Sequence, residues 1–164
     1  MAAGNTYTPI ATVSPSGAST ITFSSIPATY TDLHIVVAGA VAAGSQDFWL
    51  QFNGDTATNY SRTALSGDGT NAASMRESSV NSVYIERYSY LTTGQSVHTV
   101  DVMNYANTTT YKTLLARSSN AAVGTSLING LWRSTSAITS IVLTLSGSTF
   151  ASGSSATLYG VLAA

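Results

Sequence analysis

The chain has no cysteine, only three prolines in 164 residues, and charged side chains at 8% of positions, against roughly 25% in an average soluble domain. Each shortage excludes something. Without cysteine there is no disulfide framework and no thiolate metal site. Six basic residues scattered singly, in a chain of net charge −1, leave no electrostatic footprint for nucleic acid. No apolar run approaches the ~18 residues of a membrane span. The start, Met1-Ala2-Ala3-Gly4-Asn5-Thr6, lacks the positive and apolar regions of an export signal. Neither a nucleic-acid nor a membrane partner is expected, and synthesis and folding in a cytoplasm fit these features.

What is abundant is hydroxyl. Serine occurs 25 times and threonine 24 times, so the polar surface is built from Ser, Thr and Asn in place of Lys and Glu. Thr, Val, Ile and Tyr favour strands, and Ser, Asn and Gly favour turns. Lys, Glu and Arg, the good polar helix formers, are scarce. A surface this weakly charged gains little solubility from repulsion, which suits a protein partly covered by neighbours in an assembly.

Short β-branched and aromatic runs recur along the chain between turn clusters, as in a sandwich or barrel. Residues 10–13 lead through Ser14-Pro15-Ser16-Gly17 to 19–24. Residues 33–41 are nearly continuous in apolar side chains and read as a central strand covered on both sides. In 47–52, Phe48, Leu50 and Phe52 alternate with Trp49 and Gln51 before the turn Asn53-Gly54-Asp55. Further strands are expected over 60–65, 82–90, 96–103, 110–118, 124–133, 137–146 and 156–162, with 66–80 as a surface loop. No segment carries a helical apolar period, and no fixed-period repeat is present. The expectation is an all-β antiparallel sandwich of jelly-roll type with about ten short strands. It occupies residues 7–164 behind a flexible arm at 1–6.

The residues that carry chemistry are few. His34 and His98 are the two histidines. Both fall within strands, and no G-x-S-x-G elbow exposes a serine for a triad. The acids Asp32, Asp47, Asp55, Asp68, Glu77, Glu86 and Asp101 are dispersed. Nothing marks a facing pair such as a glycosidase uses, and four of the acids stand at strand ends or turns, where a carboxylate bonds backbone amides. Asp68-Gly69-Thr70-Asn71 resembles the start of a calcium loop but lacks its later ligands. No enzyme activity, metal or cofactor is expected. If the Phe48 and Phe52 side is core, Trp49, out of phase with them, faces outward or toward another subunit; an interface is the leading reading for such an aromatic, with ordinary burial and sugar stacking as the alternatives.

Three stretches carry a family resemblance: Tyr7-Thr8-Pro9-Ile10-Ala11-Thr12-Val13, the run Met103 to Lys112 (MNYANTTTYK), and Gly130 to Ile138 (GLWRSTSAI). With Phe52-Asn53-Gly54-Asp55 and Tyr60-Ser61 between them, they resemble small virion proteins of tailed bacteriophages. That resemblance implies a jelly-roll structural protein of the virion. Its expected role is a capsid cement (decoration) protein, sitting as a homotrimer on the major capsid protein lattice. The alternative is a tail-fibre or baseplate module that recognises a glycan, its sugar binding lost when Trp49 or Trp132 is replaced. The candidate interface residues are Tyr7, Pro9, Trp49, Trp132 and Arg133, with the segment 1–9 as an arm reaching the capsid.

Overall fold

A computed structural model describes residues 6–162. Those residues form twelve strands, numbered in chain order, and no helix long and apolar enough to cross a membrane. Eight strands make one sheet, in the order β1 (Tyr7–Val13), β12 (Ser155–Val161), β3 (Asp32–Gly39), β8 (Ser96–Met103), β9 (Lys112–Asn120), β10 (Gly124–Trp132), β5 (Tyr60–Gly67), β6 (Ala72–Val80). The other four make a second sheet, β2 (Thr20–Phe23), β11 (Ile141–Leu145), β4 (Phe48–Phe52), β7 (Val83–Tyr84). All neighbours are antiparallel. From β1 to β5 the chain changes sheet at every connection, whereas β5–β6 and β8–β9–β10 are hairpins within the large sheet, and the whole is an antiparallel β-sandwich.

The period of two sorts the side chains. Phe48, Leu50 and Phe52 of β4 face Ile21, Phe23, Ile141 and Leu143 of the same sheet's inner side, with Leu33, Ile35, Val100, Val102, Leu114 and Ile128 opposite. Glycine enters this core where space demands it. A Cβ on Gly130 would stand 2.8 Å from Val83 Cγ1 and 2.9 Å from Leu114 Cγ. The missing side chain therefore lets the short edge strand β7 close onto β10. Gly130→Ala is expected to lower the unfolding free energy by about 1–2 kcal/mol, overpacking outweighing the entropy gained by removing a glycine. A shift of the urea midpoint at unchanged slope measures it.

Four expectations need correction. Residues 66–80 are not a loop: β5 runs on to Gly67 and turns back as β6, paired through Gly67↔Ala72 to Ser61↔Ser78. The turn is held by Asp68, whose Oδ1 accepts the Thr70 and Asn71 amides at 2.8 and 2.6 Å. The strand expected over 82–90 stops after Tyr84, and Tyr88 adopts a left-handed φ of 59°, which a regular strand cannot contain. β3 is central in its sheet but covered on one side only, with His34, Val36 and Ala38 half-buried on the outer face. Finally, Tyr7 and Pro9 belong to no free arm. They lie in β1, paired with Val161 and Tyr159. The rest of the expected arm, residues 1–5, falls outside the described residues, and the Thr6 carbonyl already accepts the Leu162 amide at 3.1 Å.

Candidate functional site

Of the five residues expected at an interface, two are committed to the fold. Trp132 is 2% exposed. It stacks on Tyr60 at 6.2 Å and 18°, and its Nε1 donates to Asp55 Oδ2 at 2.7 Å. Asp55 also accepts from Asn59 Nδ2 (2.9 Å) and the Ala57 amide (2.9 Å). The Asn59 bond first, then those from Trp132 and Ala57, hold its carboxyl below the usual range against the opposing effect of burial. Arg133 is half-buried and donates from Nη2 to the Thr58 and Tyr60 carbonyls at 2.9 and 3.3 Å. The Trp132–Arg133 pair therefore ties the 55–60 segment to the end of β10, with the Trp132 ring itself buried within the chain. Tyr7 and Pro9 are exposed on the edge strand β1, and Tyr7 meets His34 edge-on at 5.5 Å.

Trp49 does face outward, as its phase requires. It is half-buried and stacks on its register partner Tyr84, with ring centres 5.4 Å apart at 22°. The Arg62 guanidinium lies over the Tyr84 ring at 3.8 Å. That contact opens onto a polar hollow of about 350 Å³, at the margin where β7 and the segment after it meet β5 and β6. Asp47, Arg62, Glu77, Glu86 and Arg87 all line it. Five of the chain's few charged side chains thus converge from four separate stretches of sequence.

Within the hollow, Arg62 Nε donates to Glu77 Oε2 at 2.7 Å, and Nη2 pairs with the same oxygen. Glu86 is 3% exposed. Burial pushes its carboxyl up to about 7, with the Asp47 carboxylate acting in the same sense. The Phe48 backbone and the Arg62 and Arg87 guanidiniums pull the other way. A carboxyl so placed is half protonated near neutrality, able to donate as well as accept a hydrogen bond.

The segment carrying Glu86 is pinned from beneath by hydroxyls. The Arg87 amide donates to Ser126 Oγ at 3.0 Å, Ser126 and Ser89 share a bond at 2.8 Å, and Asn120 Nδ2 donates to the Tyr90 carbonyl at 2.7 Å. The inward positions of β8, β9 and β10 change here from Val100, Ala116 and Ile128 to His98, Ser118 and Ser126. His98 is fully buried between Ser96 Oγ (3.0 Å from Nε2) and Ser118 Oγ (2.5 Å from Nδ1). Burial lowers its pKa to about 4, so it is a neutral structural imidazole.

The Asp68 turn is filled by its own backbone amides, and these hold the exposed Asp68 carboxyl below its usual range. Among the described residues no group of three or more His, Asp or Glu is arranged to hold a metal ion. The convergence of Asp47, Arg62, Glu77 and Glu86 left no mark in the sequence, because no two of them share a motif. The switch of inward residues to serine was the visible hint that something polar packs there.

No protein-family model matches the chain, and no curated protein matches it.

Proposed function

We propose that the chain is a structural protein of a tailed-phage virion, a capsid cement protein that self-associates as a homotrimer and binds the major capsid protein lattice. The observation that carries the adhesive part is the outer face of the eight-stranded sheet. Leu65, Val97, Met103, Leu115 and Leu127 each expose between 38% and 57% of their surface there. Leu65 sits directly across from Leu127, while Leu127 lies across from Arg117 and Leu115 across from Asp101, so the apolar patch is interrupted by one guanidinium and one carboxylate. A face of this kind is normally covered in use. The virion location rests on the resemblance in the segments beginning at Tyr7, Met103 and Gly130.

Linked copies hold a lattice far more tightly than one copy does, which is the physical advantage of a trimeric clamp. Sedimentation velocity at micromolar concentration is expected to give a trimer. The double variant Leu115→Glu, Leu127→Glu is expected to sediment as a monomer while its unfolding free energy falls by no more than about 1 kcal/mol, since both side chains are partly solvated in the single chain. On purified virions the cement role predicts copy numbers on the order of hundreds, matching repeated lattice positions. A native monomer, or only tens of copies per particle, would sink this reading.

A further inference from the structure

Two buried side-chain atoms among the described residues make no hydrogen bond, Arg62 Nη1 and Glu86 Oε2. Both residues line the polar hollow beside Trp49 and Tyr84. A buried donor and a buried acceptor left unpaired on residues of one hollow are costly to fold. The backbone beside them is strained as well, because Tyr88 holds its left-handed φ at the rim. Strain of that kind persists where the surrounding structure enforces it, commonly at ligand sites.

The charges define what fits. Asp47, Glu77 and Glu86 oppose an anion, and Arg62 and Arg87 oppose a cation. A hydroxyl donates and accepts at once, so two adjacent hydroxyls answer both unpaired atoms without adding charge. Tyr88 and Tyr90 also line a second hollow of about 440 Å³ with Ser66, Asp68 and Asn71. The two tyrosines thus line both a charged lobe and one with more apolar surface, with the Arg87 guanidinium lying over the Tyr88 ring at 4.0 Å and donating to its hydroxyl at 2.7 Å.

We infer that this two-lobed groove is a binding site for a neutral glycan, with Arg62 Nη1 donating to one ring hydroxyl, Glu86 Oε2 bonding its neighbour, and Tyr88 and Tyr90 flanking the next ring. The inference is independent of where on a particle the chain sits, so its failure would leave the capsid proposal untouched.

The test uses the full chain, ¹⁵N-labelled, titrated with glucose, galactose, mannose, N-acetylglucosamine and their tetramers to about 10 mM, a range that detects even millimolar affinity. At least one neutral sugar is expected to shift the Trp49 indole and the amides of residues 84–90 saturably, its tetramer binding more tightly. Glu86→Gln and Arg62→Lys are each expected to weaken that binding at least about tenfold while the rest of the spectrum stays native. The milder Arg62→Lys keeps the charge beside Glu77 and guards against a folding defect. The inference is overturned if no sugar shifts these signals, or if glycerol shifts them equally. Undiminished binding by both variants overturns it too, as does a sulfated sugar displacing the neutral one.

Discussion

Trp132→Ala is expected to lower the unfolding free energy by about 3–5 kcal/mol, the usual cost of deleting a large buried aromatic. The indole fills the space between Tyr60 and Phe52, 5.5 Å from the Phe52 ring centre. Its removal also strips one donor from Asp55. Trp132→Phe separates the two effects: it keeps most of the packing and forfeits only the Nε1–H bond, so about 1 kcal/mol is expected. Denaturant midpoints at unchanged slope give both numbers. An interface tryptophan would behave in the opposite way, losing association while the fold kept its midpoint.

The second large effect is hidden in the native protein by cancellation. Glu86 is raised to about 7 from 4.5, so its favourable contribution is complete below about pH 4.5 and is lost as the pH rises toward 7. His98 is lowered to about 4 from 6.5, so its contribution is complete above about pH 6.5 and is lost as the pH falls toward 4. Each swing is on the order of 3 kcal/mol. Between about pH 4.5 and 6.5 the two slopes are equal and opposite, and the native chain is expected to show nearly constant stability from this pair. Asp55 and Asp68, both lowered, make their changes on the acid side of that window.

Glu86→Gln removes one slope, and its stability is expected to climb by about 1.4 kcal/mol per pH unit across the window. His98→Gln removes the other and is expected to fall at the same rate, from a lower starting value because His98 also packs edge-on against Phe48 at 5.6 Å. Urea midpoints at half-unit steps from pH 4.5 to 7 check the pair. A Glu86→Gln profile as flat as the native one would show that the carboxyl is not held protonated.

The sandwich was legible because its strands announce themselves in pairs of period-two signals, and Trp49 was placed correctly from phase alone. Other features were not legible, for specific reasons. β6 reads Ala-Ala-Ser-Met-Arg-Glu-Ser-Ser-Val with an almost wholly exposed or half-exposed pattern. An edge strand that buries so little leaves no apolar period, and its identity lies in its ladder to β5. β10 carries Leu127 and Leu131 on one parity and Ile128 and Trp132 on the other. Neither face is plainly the core from sequence, so the burial of Trp132 shows only in the structure. The polar hollow is a product of topology, since β5, β6, the start of β4 and the segment after β7 meet only once both sheets have formed.

The two margins of the large sheet are chemically unlike. At one, β1 carries Pro9, which has no amide hydrogen, and a register shift between Pro9 and Ala11; both features spoil that edge as a template. At the other, β6 ends the sheet among the described residues, with Arg76 and Glu77 in its middle, a register shift against β5 and a left-handed φ of 59° at Ser79. Each edge of the large sheet thus carries a break in its ladder, one with a proline and the other with charge, and both discourage the addition of a further strand.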